Sequence, residues 1–226
     1  SAALELGRLE LPKAWPNRVR SKVALSRPGR SALESLRDVW QGGPARRATV
    51  ISPFFDSDEE ENRPVTSLVA LLAQRGERVL NLLVPVDEVH LNTVVLAPKS
   101  LLGAVPVGVQ SDLFVFHPEE GDGARRLHAK GILLTSGTWT AAMLGSSNFT
   151  TAGLGLSPTS GHLEINVALG APDGSDEDKA LVALFVGCFG DTLDPSQVRW
   201  EPLEDEEERP VLLPWGFSRA LLEPGP

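Results

Sequence analysis

A histidine and a lysine two residues apart form the pair in this sequence best suited to chemistry. His128 and Lys130 lie in a β-rich segment, residues 126–134, so on a strand both side chains leave the same face. Leu127 and Ala129 are then expected to point into packing. A neutral imidazole can attack phosphorus while a neighbouring ammonium holds a non-bridging phosphate oxygen. The pair therefore suits attack on a phosphodiester.

A glycine–serine turn follows the next β-rich segment, residues 138–144, which is predicted to form a hairpin with the first. Gly145 permits close approach of the backbone, and Ser146, Ser147 and Asn148 carry hydrogen-bonding side chains. Asn148 is expected to cap a short helix over residues 149–154, whose free N–H groups would face an anion. These groups predict a phosphate cradle without a metal, and the sequence has no tight cluster with metal-ligand spacing.

A strand with a carboxylate is predicted downstream, over residues 162–169. Its residues alternate, with His162, Glu164 and Asn166 on one face and apolar residues on the other. Glu164 is the candidate site residue of this strand. The acidic loop at residues 56–61, in contrast, is expected to be a solvated surface segment.

Taken together, these segments resemble the His-x-Lys…Gly-Ser-x-Asn signature of the phospholipase D superfamily. The resemblance rests on HAKGILLTSGTWTAAMLGSSNFT, with VISPFF upstream and HLEINVAL downstream, and covers roughly residues 45–190. It implies a metal-independent phosphodiesterase that uses no cofactor. His128 would form a phosphohistidine intermediate or protonate the leaving oxygen.

The resemblance also implies roles for the other site residues. Lys130 and Asn148 would hold the phosphate oxygens, with Ser146 as a secondary donor in a substrate-binding turn that also includes Gly145 and Ser147. Glu164 would accept a hydrogen bond from a catalytic histidine and orient it.

Two departures from the superfamily pattern bear on the branch. The position five residues after Lys130, usually Asp, is Thr135, and His128 and Asn148 are further apart than is common. Both features are similar to the tyrosyl-DNA phosphodiesterase branch. The substitution at Thr135 therefore does not by itself exclude activity.

The chain carries a single copy of the motif. None of the other histidines, at positions 90, 117 and 162, has Lys two residues later. Because the superfamily uses two facing motifs, the sequence predicts one half-site. A homodimer partner or further sequence in a longer parent chain would complete it.

The elements that must position these residues alternate between strands and helices. They predict an α/β fold in which a mixed β-sheet is flanked by helices, a phospholipase-D-like half domain. Residues 1–30 are expected to be an extended basic arm, residues 31–192 the domain, and residues 193–226 an acidic, proline-rich tail or linker.

Composition narrows the class of protein. The 226 residues carry a net charge of −9, although the N-terminal stretch is basic. An acidic surface disfavours non-specific binding of nucleic acid or anionic lipid. No apolar run is long enough to span a bilayer, and the single cysteine, Cys188, excludes an internal disulfide. A cytoplasmic location is expected.

Three functions stay open on the sequence. The favoured one is a nuclease or DNA-end-processing phosphodiesterase, because apolar membrane anchors are absent and the Asp is missing. A lipid-directed phospholipase or phosphatidyltransferase shares the motif. The third is a non-catalytic module for dimerisation or nucleic-acid binding. Thr135 in place of the usual Asp and the acidic surface keep this hypothesis open.

Overall fold

The computed structural model describes residues 19–57, 61–89, 92–116, 129–159 and 161–202. In chain order the elements are β1 (Arg20–Ser26), α1 (Leu33–Val39), β2 (Arg47–Ile51), α2 (Arg63–Val69), β3 (Val79–Val84), β4 (Val86–Val89), β5 (Asn92–Val95), α3 (Ser100–Gly103), β6 (Gln110–Phe116), β7 (Gly131–Thr135), β8 (Trp139–Gly145), β9 (Glu164–Pro172), α4 (Asp176–Val186), β10 (Phe189–Leu193) and β11 (Arg199–Trp200). No helix in these ranges is long and apolar enough to cross a membrane.

Eight strands form one mixed sheet in the order β1-β9-β8-β7-β2-β3-β6-β10. Strands β2, β3 and β6 are parallel neighbours, whereas the other neighbouring strands of this sheet are antiparallel. The parallel strands end together at Ile51, Val84 and Phe116, which define the C-terminal edge of the sheet. Gly131 pairs with both Ile51 and Leu144, so β7 begins and β8 ends at that edge.

The middle of the sheet is apolar on both faces, as expected for strands covered on each side. Every residue of β3 is buried, including Asn81. The Asn81 side chain donates a hydrogen bond of 3.3 Å to the hydroxyl of Thr49 on β2, which is also buried. The two polar groups therefore satisfy each other inside the sheet.

Helices cover both faces of the sheet. The first three helices bury Leu36, Leu68 and Leu101 in the larger core on one face. On the opposite face α4 buries Leu181 and Phe185 in a smaller core. This arrangement confirms the predicted α/β class, a mixed sheet flanked by helices.

Residues 20–26 of the expected basic arm are extended but are part of the sheet. They form β1, which pairs antiparallel with β9 from Arg20–Gly170 to Ser26–Glu164. The buried Ala24 and Ser26 alternate with exposed residues, a pattern too short to distinguish from an irregular arm by sequence. The chain therefore joins the main sheet before residue 31.

Strands also extend past residue 192. The last residue of β10, Leu193, pairs with Leu113 of β6, and β11 pairs in parallel with β5 of the small sheet. The proposed boundary between residues 192 and 193 thus falls inside β10. The division into arm, domain and tail stays a prediction for the residues outside the described ranges.

Candidate active site

The predicted nucleophile, His128, lies outside the described residues, next to the point where they resume at Ala129. Its assignment stays a prediction from the sequence. The described partners of the motif are Lys130, the turn from Gly145 to Asn148, and Glu164. All of these lie at the C-terminal edge of the sheet.

Lys130 immediately precedes β7 and is buried, with 8% of its surface exposed. Its carbonyl oxygen accepts a hydrogen bond of 3.3 Å from the backbone N–H of Gly145, which extends the β7–β8 hairpin by one pair. The expectation that Ala129 packs inside is wrong, because Ala129 is exposed. The chain therefore turns the lysine, not the alanine, into the protein at the start of β7.

The backbone and hydroxyl of Ser146 bind strand β9. Its N–H donates to the carbonyl oxygen of Ile165 at 3.1 Å, and its hydroxyl donates to the same oxygen at 3.2 Å. The hydroxyl also accepts from the Ile165 N–H at 3.0 Å. These bonds fix the start of the turn against β9, next to Glu164.

Ser147 is buried and is bound by the side chain of Asn166 on β9, which is 2% exposed. The Asn166 carboxamide accepts from the Ser147 N–H at 3.1 Å and donates to the Ser147 hydroxyl at 2.8 Å. Both bonds come from one side chain, so Asn166 fixes the middle of the turn. Buried polar groups satisfied in this way rigidify their surroundings.

Asn148 is half-buried, and its Oδ1 atom is buried without a hydrogen-bond partner among the described residues. A buried acceptor without a donor is costly, and such groups in a native fold call for an explanation. The amide nitrogen of the same side chain could donate to a phosphate oxygen, and Oδ1 could accept from a cationic or hydroxyl donor. The carboxamide therefore has hydrogen-bonding capacity that the described residues do not use.

The predicted helix after Asn148 does not form. Phe149 forms an isolated bridge with Phe55 and residues 151–155 are turns, so no helix N-terminus faces the site and this part of the predicted cradle is wrong. The backbone here bonds to side chains instead: the Phe149 N–H donates to Ser52 Oγ at 2.9 Å. The Thr151 N–H and hydroxyl both donate to the Asp56 carboxylate, at 2.8 Å and 2.6 Å.

Asp56 also corrects the prediction for the acidic loop. The sequence pattern predicts a solvated segment, yet Asp56 is 9% exposed and bound to Thr151. Asp56 follows β2 at the C-terminal edge, so it reaches the loop that follows Asn148. Ser52, Asp56 and Asn166 thus hold the loop around Asn148. The sequence analysis did not include them among the site residues, and their signal was a polar residue at or near an apolar strand.

Glu164 opens β9 and is largely buried, with 17% of its side chain exposed. Its Oε1 atom lies 3.7 Å from Nδ1 of His162, whose side chain is 43% exposed. Glu164 and Asn166 share the inner face of β9, whereas His162, predicted on the same strand face, precedes the strand. Within the described ranges, the histidine beside this carboxylate is therefore His162.

A cavity of about 10 Å³ lies beneath these residues. Its polar lining is Lys130, Ser147 and Asn166, and its apolar lining includes Ile51 and Phe149. It has room for about one water molecule. The cavity is therefore too small for a phosphodiester, and the exposed residues of the turn are Gly145 and Ser146.

Thr135, the residue at the usual Asp position, lies at the opposite end of β7 from Lys130. It pairs with Arg47 and Thr140, away from the C-terminal edge. Five residues of extended chain span roughly 16 Å. Thr135 therefore does not belong to the group of residues around Lys130.

Neither a protein-family model nor a curated protein matches the sequence at a significant level. Among solved structures, the yeast tyrosyl-DNA phosphodiesterase is similar, with a TM-score of 0.35 and 14% identity over 68% of this chain and 32% of that chain. A mutant of the same yeast enzyme has a TM-score of 0.35 and 13% identity over 67% of this chain and 32% of that chain. The chain thus spans about a third of the length of these structures, and likeness at this level assigns neither family nor activity.

Proposed function

We propose that the chain is a half-site of a metal-independent phosphodiesterase that cleaves nucleic acid, as a nuclease or in the processing of DNA ends. Its fold would then be a phospholipase-D-like half domain acting in the cytoplasm. The proposed catalytic residues are His128, Lys130, Asn148 and Glu164. The proposed substrate-binding turn is Gly145 to Ser147.

One observation carries the proposal: the Lys130 segment and the glycine–serine turn adjoin each other at the C-terminal edge of the sheet. The bond between the Gly145 N–H and the Lys130 carbonyl links them, and Glu164 follows on the next strand. Motif residues that are 15 or more positions apart in sequence are neighbours in the fold. Ligands of open α/β sheets commonly bind beyond the carboxyl ends of the strands.

The proposed reaction has two steps. The neutral imidazole of His128 attacks phosphorus, so a P–N bond forms and the P–O bond to the leaving group breaks. A histidine of a second half-site gives its proton to the leaving oxygen. Water then attacks the phosphohistidine and gives a proton to the histidine of the second half-site, which is now neutral. The P–N bond breaks and a phosphate monoester is released, while Lys130 and Asn148 hold the non-bridging oxygens.

The second half-site is part of the proposal, because the sequence holds one His-x-Lys pair. A second copy of this chain would supply it in a homodimer. Further sequence in a longer parent chain is the other source. The two sources differ in the mass of the active species.

The test uses a DNA phosphodiester substrate treated with EDTA. Cleavage should persist in EDTA, and His128→Ala or Lys130→Ala should abolish it while the folded state is retained. Thr135→Ala is the matched control and should reduce cleavage by less than about tenfold, because Thr135 lies at the far end of β7. Isolation of a phosphate adduct on His128 after acid-free quenching would support the covalent step; full activity of Lys130→Ala would refute the proposal.

A non-catalytic module is the second candidate, and a specific observation favours it. The hydroxyls of Ser146 and Ser147 are bonded within the protein, so they are less available to a substrate than the motif suggests. Failure to trap an adduct on His128 in a protein of verified dimeric mass would favour this candidate. Release of choline from phospholipid vesicles, without DNA cleavage, would instead indicate a lipid-directed enzyme.

A further inference from the structure

Five large apolar side chains are exposed side by side on the first and ninth strands and on the residue before β9. We call this surface the β1–β9 face; it consists of Val23, Leu25, Leu163, Ile165 and Val167, with exposed fractions of 61, 38, 74, 60 and 43%. Val23 pairs with Val167 and Leu25 with Ile165 across the two strands. The face is therefore continuous across the strand pair.

The orientation of β9 is the reverse of the usual one. An antiparallel strand with one solvated face normally turns its apolar residues inward and its polar residues outward. Here Asn166 is buried and Glu164 largely so, while Leu163, Ile165 and Val167 face outward. Asn166 must face inward to bind Ser147. Because side chains alternate along a strand, Ile165 and Val167 then face outward.

The β1–β9 face adjoins the smaller core under α4. Leu169, two residues after Val167 on the same face of β9, packs against that core. Helix α4 covers the sheet as far as this residue, and no other described element covers the strands beyond it. The face is therefore a continuation of the apolar surface under α4. It is not a set of isolated exposed residues.

The size and charge of the face favour a protein partner. The exposed area is on the order of 400–500 Å², more than half of the roughly 800 Å² that each partner contributes to a stable interface. On this side of β1 the side chains are those of Ser21, Val23 and Leu25. On the same side of the neighbouring segment, residues 163, 165, 167 and 169 are all apolar. Lys22 and Glu164 lie on the opposite side of these strands. An uncharged face offers nothing to the phosphates of nucleic acid.

An uncharged apolar face also suits contact with an identical face. A two-fold interface brings the same patch of both subunits together. Two identical charged patches would repel each other, whereas two apolar patches bury each other from water. Strand β1 lies at the edge of the sheet, where another chain can approach without displacing an element. These features favour a second copy of this chain over a charged partner.

The face also lies next to the candidate active site. Ile165 is one of its members, and its backbone binds the Ser146 hydroxyl and N–H. We propose that a second copy of this chain docks on the β1–β9 face and brings its own half-site to the C-terminal edge. The proposal rests on the proposed function for the need of a second half-site, but the contact itself is measurable without a substrate.

The test measures the mass of the full chain in solution by light scattering over a range of concentrations. The wild type should be a dimer, and Val23→Lys and Val167→Lys should each raise the dimer dissociation constant at least about tenfold, because the interface would bury an unpaired ammonium. Val107→Lys is the matched control: Val107 is 101% exposed and lies before β6, at the other end of the sheet. It should leave the dimer intact.

Two results would overturn the interface. One is a wild type that stays monomeric at all concentrations, whether or not another protein or a vesicle of anionic phospholipid binds the face. The other is a dimer that survives both valine substitutions, provided that their thermal unfolding matches that of Val107→Lys. A dimer without phosphodiesterase activity would refute the proposed function alone. A monomer that cleaves DNA would refute the interface and the need for a second half-site, but not the phosphodiesterase activity.

Discussion

At the scale of single residues, Gly145 is the position where one methyl group has the largest consequence for the turn. A Cβ atom there would lie 2.5 Å from the Asn166 Cα, the Asn166 Oδ1 and the Ile165 carbonyl oxygen. Two of these atoms belong to the backbone of β9, and the third belongs to the side chain that binds Ser147. None can move without separating the turn from the strand.

We expect Gly145→Ala to lower the free energy of unfolding by about 1–3 kcal/mol, the usual cost of inserting a methyl group into a closely packed site. Gly103→Ala is the control, because a Cβ there meets nothing within 4 Å and alanine is the better helix former. Its unfolding free energy should match or exceed the wild-type value. Urea unfolding measures both; equal stability of the two variants would mean that β9 can retreat from the turn.

The chemistry of the individual residues was more accessible from the sequence than their surroundings. The residue types and the spacing of Lys130, Asn148 and Glu164 suffice to predict a phosphate-directed site. They do not reveal that Lys130 is buried or that the Ser146 hydroxyl is bound to Ile165. Burial and partner choice depend on which strand lies next to which, and a local pattern does not contain that information.

At the scale of elements, the turn after β8 is held from both sides of Asn148. Upstream, Asn166 binds Ser147; downstream, Ser52 binds Phe149 and Asp56 binds the residue at 151. The three holding side chains come from β9 and from the segment after β2. The loop at the C-terminal edge is therefore ordered by side chains and not by helical hydrogen bonds.

We expect Asn166→Ala to lower the free energy of unfolding by about 2–4 kcal/mol, because two buried polar groups of Ser147 lose their partner at once. Gln110→Ala removes an exposed amide whose bonds reach only Asp112 on the same strand, and should cost less than about 0.5 kcal/mol. Thermal unfolding compares the two. If their midpoints coincide, a water molecule or the backbone replaces Asn166 and the turn does not depend on it.

Strands were predicted better than the loop that matters most for the site. The segment 79–84 forms β3 with the predicted bounds, and the predicted hairpin forms as β7 and β8. Apolar runs and the alternation of apolar and polar residues indicate these strands in the sequence. The predicted helix after Asn148 failed because the bonds from Ser52 and Asp56, about 95 residues away in the chain, outweigh a local capping preference.

At the scale of the whole molecule, the order of strands places the predicted half-site at one side of the sheet. The β8–β9 side of the C-terminal edge carries the turn and Glu164, and the sheet then ends at β1. The edge strand and the uncovered β1–β9 face lie on this same side. An approaching copy would therefore meet the side of the sheet that bears the motif.

If two copies build one active centre, a dimer with one inactive subunit should have no activity. We expect a mixture of equal amounts of wild type and Lys130→Ala, after subunit exchange, to retain about one quarter of the wild-type rate, since only the dimers with two intact half-sites are active. Independent centres would retain about one half. The rate of DNA cleavage is measured as the fraction of Lys130→Ala increases. In a control series Val107→Lys replaces Lys130→Ala, and the cleavage rate should stay at the wild-type value. A decline in direct proportion to the wild-type fraction would mean that each chain works alone and that cleavage needs no second copy.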